Sequence, residues 1–337
     1  MRAMVIRRIA PIEENPLSYE EVQTPEPRGK EVLIRVHTCG ICRTELDEVE
    51  GRLQPKMPVI PGHQVVGRVI ETGPNVERLV VGDRIGVAWI YYSCGVCRFC
   101  KRGLENLCEK FMGTGCDADG GYAEYMVVDE DYAYRIPEVF SDVEAAPLLC
   151  AGAIGYRALK LTGMEDGDTI GLYGFGSSAH IVFQLIRHLY PNSKIYVFTR
   201  RRGDAPGELA SKMGADWVGE TGDTPPSKLN CAIDTTPTGM PVKEALRNLE
   251  RGGRLVMNLI RKETPITDLD YMQHLWWERE IKSVANITRR DVAEFLDIAA
   301  RVPIKPEIVE FRLREANEAL RMLKYGRYRG SGVLIIK

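Results

Sequence analysis

Long apolar runs are the most conspicuous absence in this sequence. No stretch approaches the roughly 18 residues that a membrane-spanning helix needs. The opening Met1 to Ala10, which carries Arg2, Arg7 and Arg8, is not followed by the apolar segment of an export signal. A surplus of one charge is missing too: 45 Lys and Arg against 47 Asp and Glu leave a formal net charge of −2. That balance gives no electrostatic footing for nucleic acid or for an anionic membrane surface. Internal repeats and low-complexity segments are absent. So is an even cysteine count, for there are nine, and four of them crowd between Cys94 and Cys108. Without an export signal, such crowding points to metal rather than disulfides. The expectation is a cytoplasmic chain whose 337 residues suffice for two domains, each with its own core.

The opening half reads as mostly β. Short β-branched runs at Met4 to Ile9, Glu31 to His37, Val65 to Glu71 and Arg84 to Ala88 are separated by turns at Gly29, Gly51, Gly73-Pro74 and Gly82-Asp83. Another strand runs through Val128, and a helix opens at Asp142 and carries Ala145, Ala146 and Leu148 up to Cys150. After Gly152 the pattern changes to alternating apolar strands and helices. Strands are expected at Thr169 to Tyr173, Ile195 to Phe198, Trp217-Val218, Cys231 to Ile233, Arg254 to Met257 and Ile281 to Val284. Helices fall up to Tyr190, over Glu208 to Met213 and over Val242 to Leu249. Such alternation implies a doubly wound parallel sheet, so the fold class is α/β. The tail returns a helix from Asp291, a strand near Ile308 to Phe311, a helix over Glu315 to Leu323 and a strand Val333 to Ile336.

Two local motifs carry chemistry. Cys94-x-x-Cys97-x-x-Cys100, with Cys108 after seven further residues, offers four thiolates. They would close a tetrahedral zinc shell with no vacancy, so a metal here pins a loop and performs no reaction. Strand Thr169 to Tyr173 runs into Gly174-Phe175-Gly176-Ser177-Ser178-Ala179 and then an apolar helix, the context in which such a glycine turn cradles a dinucleotide pyrophosphate. The next strand ends Phe198-Thr199-Arg200-Arg201-Arg202, with no acid before Asp204. An acid there would repel a 2′-phosphate, whereas Thr199 and Arg200 can bind one, so NADP(H) is favoured. NAD(H) stays possible if Asp204 turns inward.

Between Gly40 and Gly73 lie Cys42, Thr44, Glu45, and then Gly62-His63-Gln64-Val65-Val66-Gly67. The spacing Gly62-His63-x-x-x-Gly67-x-x-x-x-x-Gly73-x-x-Val76 resembles the signature of the zinc-dependent medium-chain alcohol dehydrogenases, in their microbial, AdhA-like and propanol-preferring branch. The resemblance extends over the whole chain. It implies a GroES-like, mostly β catalytic domain over residues 1–151 with a zinc lobe at 94–108. A Rossmann cofactor domain would follow over 152–287, with a return to the first domain over 288–337. It further implies two zinc ions per chain and interconversion of alcohols with aldehydes or ketones. A small-molecule substrate, no nucleic acid or membrane partner, and a homotetramer rather than a homodimer complete the expectation.

Carried over by position, the catalytic zinc ligands are Cys42, His63 and Cys150. Thr44 is the hydroxyl that shuttles the substrate proton, and Glu45 orients His63. Arg43, Gly174, Phe175, Gly176, Ser177, Ser178, Thr199, Arg200 and Leu259 fall at cofactor positions, and Trp89 and Leu53 at substrate-pocket positions. Departures from the family are Asp47 in place of a relay histidine, Gln64 in place of an acid, and Ser331 where an arginine often meets the pyrophosphate. For that last contact Arg43 and Arg329 are stand-ins. Three other readings stay open: a zinc-free quinone or alkene reductase of the same fold, a non-catalytic NADP(H) or redox sensor, and a redox role for Cys39-Gly40-Ile41-Cys42.

Overall fold

The computed structural model describes residues 1–302 and 304–336. It divides into two compact units, one formed by Met1–Ala153, Asn286–Ala300 and Lys305–Lys337, the other by Ile154–Ala285 and Arg301–Ile304. No helix among the described residues is long and apolar enough to cross a membrane.

The first unit begins with a hairpin of β1 (Arg2–Ile6) and β2 (Leu17–Glu21), followed by β3 (Glu31–Gly40), α1 (Arg43–Val49), β4 (Val65–Thr72) and β5 (Arg84–Val87). A small ribbon of β6 (Ile90–Tyr92) and β7 (Met112–Gly113) brackets the cysteine lobe, and β8 (Tyr125–Asp129), β9 (Ala133–Arg135) and α2 (Asp142–Pro147) follow. β3 is the axis of this unit. It pairs antiparallel with β4, β8 and, later in the chain, the closing strand, and seven of its ten residues are buried. The close approach of β3 and β4 depends on Gly67, where a Cβ would stand 2.3 Å from the Arg35 carbonyl oxygen.

The second unit opens with α3 (Ala153–Thr162), whose first residue still belongs to the first unit. It continues through β10 (Thr169–Tyr173), α4 (Ser177–Leu189), β11 (Lys194–Thr199), α5 (Ala205–Lys212), β12 (Trp217–Glu220), β13 (Leu229–Asp234), α6 (Met240–Asn248), β14 (Leu249–Met257) and β15 (Glu280–Ser283). Its strands form a wholly parallel sheet in the order β12-β11-β10-β13-β14-β15. All of β10 is buried, as a strand covered on both faces must be, and that is why its sequence shows no alternation. The tail supplies α7 (Arg289–Ala299), β16 (Ile308–Arg312), α8 (Ala316–Lys324) and β17 (Ser331–Ile335). β17 pairs with β3, which places the tail on the first unit's sheet.

The expected fold class holds, with three local differences. β1 lies two to three residues earlier than Met4 to Ile9, because its register with β2 ends at Ile6↔Leu17. The helix expected to run to Cys150 leaves α geometry at Pro147, which lacks the N–H needed for an i→i−4 bond, and passes through a π turn at Leu148–Gly152 into α3. Strands β2, β6, β7 and β9 and helices α1 and α3 are elements beyond those the sequence pattern predicts.

Candidate active site

Cys42 is the N-cap of α1, at extended backbone angles of φ −125° and ψ 162°. Its amide donates to Glu45 Oε2 at 2.8 Å, and Glu45 Oε1 stands 2.7 Å from His63 Nδ1. One fully buried carboxylate on the first turn of a short helix therefore holds both the cap and the imidazole. His63 is itself only 1% exposed, leans edge-on against the Trp89 ring at 4.9 Å, and turns Nε2 to within 3.3 Å of Cys150 Sγ on the π turn. The ligand atoms of Cys42, His63 and Cys150 all lie within 4.8 Å of one another. Zinc bonded to sulfur and imidazole nitrogen sets edges of roughly 3.5 to 3.8 Å between its ligands. The donor set and its spacing thus fit a three-ligand zinc site, and the half-buried thiols of Cys42 and Cys150 leave a side for a fourth ligand. Thr44 Oγ1 lies 3.5 Å from Cys42 Sγ, close enough to face whatever occupies that position.

The electrostatics of this cluster suit a cation. The hydrogen bond from Cys150, joined by the nearby imidazole, holds the Cys42 thiol well below its ordinary value, while the same bond and burial push Cys150 up. Burial alone would lower His63, but the charges of Glu45 and Cys42 outweigh it and keep the imidazole well above its usual range. Protons in such a cluster occupy the place of a metal, and metal uptake must release them.

The second cluster is the cysteine lobe. Cys97 Sγ lies 3.5 Å and Cys94 Sγ 4.0 Å from Cys100 Sγ, and all four sulfurs fall within 4.8 Å. Backbone amides point at the sulfurs, from Cys97 to Cys94 at 3.4 Å, from Cys100 to Cys97 at 3.5 Å and from Lys110 to Cys108 at 3.3 Å. Donors of this kind, the Val96 and Cys97 amides foremost, bring Cys94 down to about 6. Glu105 in the lobe accepts from the Arg289 amide and guanidinium at the start of α7, which ties the lobe to the tail of the same unit.

In the second unit the glycine turn has the geometry its sequence implies. Gly174 adopts φ +84°, with Thr235 Oγ1 only 2.8 Å from where a Cβ would be. A Cβ at Gly176 would meet nothing within 4 Å, so the N-terminus of α4 is open to an approaching phosphate. Phe175 is buried, with its ring edge-on against Phe183 at 5.8 Å. Ser178 Oγ accepts from Asn258 Nδ2 at 3.1 Å. At the end of β11, Thr199 is buried and its hydroxyl donates to the Arg201 carbonyl at 3.1 Å, while Arg200 is exposed. Asp204 is committed as the N-cap of α5 through Gly207 N at 2.9 Å. An acid that sequence spacing missed comes from β12: Glu220 Oε1 accepts from the Arg202 amide, and the Arg202 side chain pairs with Asp223 at 2.9 Å. Leu259 lies half-buried just past β14.

Residues 28–138 match the alcohol dehydrogenase GroES-like domain. Over 342 residues the chain is 45% identical to a probable alcohol dehydrogenase AdhA from Mycobacterium tuberculosis, covering 100% of this chain and 97% of the relative. This chain belongs to the zinc-type medium-chain alcohol dehydrogenase family. It is also 35% identical over 352 residues to an alcohol dehydrogenase of Geobacillus stearothermophilus, with 99% of each chain covered. A cobalt- and zinc-bound thermostable alcohol dehydrogenase from Pyrobaculum aerophilum superposes with a TM-score of 0.88 at 26% identity, covering 100% of this chain and 99% of that one.

Beside the Cys42, His63 and Cys150 cluster, this dehydrogenase carries further groups, of which sequence reading had assigned Asp47, Cys39 and Leu53 but not Glu48. The Asp47 carboxylate pairs with Arg52 Nε at 2.6 Å and is 1% exposed. Arg52 also pairs with Glu50, which takes Lys324 at 2.9 Å. Glu48, one residue further along α1, is fully buried, and neither of its oxygens meets a donor at hydrogen-bonding geometry. The Cys116 thiol, a weak donor, lies beside it. Burial and the neighbouring Glu45 charge push Glu48 well above the carboxylate range. The one available signal was its position between the apolar Leu46 and Val49 of a short helix. Cys39 is fully buried, and burial raises its thiol well above normal, the opposite of what thiol exchange requires. Leu53 contributes a backbone bond to the Asp47 carbonyl at 3.1 Å.

Proposed function

We propose that this protein is a zinc-dependent, NADP(H)-linked alcohol dehydrogenase that interconverts alcohols with aldehydes or ketones. The observation that carries the reading is the convergence of Cys42, His63 and Cys150 within 4.8 Å, with the Thr44 hydroxyl 3.5 Å from the first of them. These three residues would hold a zinc ion, which would supply Lewis acidity at the substrate oxygen, and the second unit would hold the nicotinamide that supplies or accepts the hydride.

The chain's own residues do the rest. Glu45 takes the Nδ1 side of His63, which leaves Nε2 as the ligand and fixes the ring. Thr44 Oγ1 would receive the hydroxyl proton of the alcohol and pass it outward. Trp89 against His63 narrows the inner wall. Asp47, locked to Arg52, is the outer end of the path from Thr44.

NADP(H) is favoured over NAD(H) because Arg200 is exposed at the end of β11 while Asp204 is spent on capping α5. The four-thiol lobe holds a second, structural zinc in this reading. A zinc-free quinone or alkene reductase would have no use for the Cys42, His63 and Cys150 convergence. A redox sensor acting through Cys39 would need a far more accessible thiol. A homotetramer in the cytoplasm completes the proposal by family resemblance, and sedimentation of the purified protein checks the assembly.

The test is oxidation of NADPH and of NADH against a panel of aliphatic, aromatic and cyclic carbonyls, with zinc measured on the same sample. Two zinc ions per chain with faster turnover of NADPH are expected. Equal or better turnover with NADH overturns the cofactor assignment. A single zinc with activity only toward alkenes or quinones overturns the reaction.

A further inference from the structure

In an open parallel sheet, ligands lie across the carboxyl ends of the strands where the strand order reverses, here between β10 and β13. The glycine turn and Arg200 belong to the β10 and β11 side, so the nicotinamide half of a dinucleotide must cross the ends of β13 and β14. Two irregular segments meet there, Thr235 to Gly239, just past Asp234 at the end of β13, and Asn258 to Pro265.

These two segments are joined by one side chain. Lys262 Nζ donates to Asp234 Oδ2, to the Thr236 carbonyl at 2.8 Å and to the Thr238 carbonyl at 2.8 Å. Three acceptors match the three protons of an ammonium group. Asp234 is fully buried, and its other oxygen accepts from the Thr236 amide at 2.9 Å and hydroxyl at 2.6 Å. Around this pair the loops are laced together: the Glu263 amide donates to the Pro237 carbonyl at 2.6 Å and the Gly239 amide to Thr264 Oγ1 at 2.9 Å. Gly239 lies so close that a Cβ would stand 2.0 Å from the Pro265 carbonyl oxygen.

The lacing continues to the pyrophosphate turn. The Thr235 amide and hydroxyl donate to the Tyr173 carbonyl at 2.9 and 3.1 Å. The Asn258 amide donates to the Asp234 carbonyl at 2.8 Å while its side chain reaches Ser178. Between Asn258 and Lys262 the held loop carries Leu259 and an exposed Ile260, apolar surface of the kind a flat ring packs on. A lysine in an irregular segment commonly keeps its charge in water, whereas the Lys262 side chain is only 13% exposed and set against a carboxylate.

We propose that Lys262 is a positioning residue for the nicotinamide half of the cofactor, clasping the loops after β13 and β14 into one preformed wall. The inference rests on the reading that this unit binds a nicotinamide dinucleotide. It differs from a merely structural staple in one respect: its loss must weaken the dinucleotide and spare the adenosine half, which binds on the other side of the switch point.

The experiment compares Lys262→Met with wild type by fluorescence titration. The probes are NADPH or NADH, whichever wild type binds more tightly, and ADP-ribose with or without the matching 2′-phosphate. Disorder in the wall is expected to weaken the dinucleotide about tenfold and to leave the fragment within about twofold. Lys262→Arg, which keeps the charge, should recover part of the loss. Thr264→Val removes a single tie, gives a smaller loss in the same direction, and decides the matter if Lys262→Met does not fold. Equal losses for dinucleotide and fragment, or no loss for either, overturn the inference while leaving the proposed function intact. A wild type that binds neither overturns both.

Discussion

Glu48 makes a pH dependence that is opposite in sign to ordinary acid unfolding. Its carboxyl is fully buried without a matched donor, and burial together with the Glu45 charge raises it well above the carboxylate range. In the unfolded chain the same group ionises near pH 4.3. Between that pH and the raised folded value, the native state binds one proton more than the unfolded state, so stability falls as pH rises. The slope for one proton is about 1.4 kcal/mol per pH unit. Zinc with two thiolates and a neutral imidazole adds no net charge to the neighbouring cluster, so the sign holds in the loaded protein. Glu48→Gln keeps the shape and removes the titration. Urea unfolding of wild type and Glu48→Gln at intervals from pH 5.5 to pH 8 should show the two diverging as pH rises, with the variant gaining relative stability at each step. The other groups titrate alike in both proteins and cancel in the difference. Parallel curves, or a wild type that gains on the variant with rising pH, would refute the argument.

Removing the carboxylate behind the imidazole, Glu45→Ala, should weaken zinc at the first cluster by about 10- to 100-fold and leave the lobe zinc in place, as competitive chelation with metal analysis would read. Cys150→Ala should lower zinc content by one per chain and reduce carbonyl turnover on the order of a thousandfold, through loss of several kcal/mol of charge stabilisation. Cys97→Ala should instead lower the unfolding temperature, since the lobe has little apolar surface of its own to replace a metal. Asp142 behaves as a conventional paired acid. Burial would raise it, but hydrogen bonds from His37 at 2.8 Å and Arg84 at 2.8 Å outweigh that and hold it below the usual range. Its contribution is therefore present above the unfolded carboxyl's pKa and is lost as pH falls through the folded value. Asp142→Asn should cost about 1–3 kcal/mol at neutral pH, a gap that narrows in unfolding curves only below the unfolded carboxyl's pKa.

Much of the fold was legible because its signals are local. β10 shows as a short apolar run ending in Gly174, and the α4 start shows as the small residues that follow it. The cysteine lobe shows in spacing alone, since thiols three residues apart on a tight loop reach one point. Less legible were β2, a hairpin strand with little apolar alternation, and β9, whose pairing with β5 lies with a distant segment rather than in its own pattern. The π turn at Leu148–Gly152 was invisible as well, although Pro147 marked the place where regular helix had to end.

By itself, then, the chain's order of residues determined which donors exist and how they are spaced along short segments: thiols, an imidazole, a glycine turn and an arginine-rich strand end. Those depend on backbone geometry within a few residues. Tertiary structure alone decided what each polar group faces. It hid Glu48 beside Cys116, turned His63 toward Cys150 and closed Lys262 over Asp234. Burial and the direction of a side chain are set by contacts with segments far along the chain, and the local sequence around each group carries no record of them.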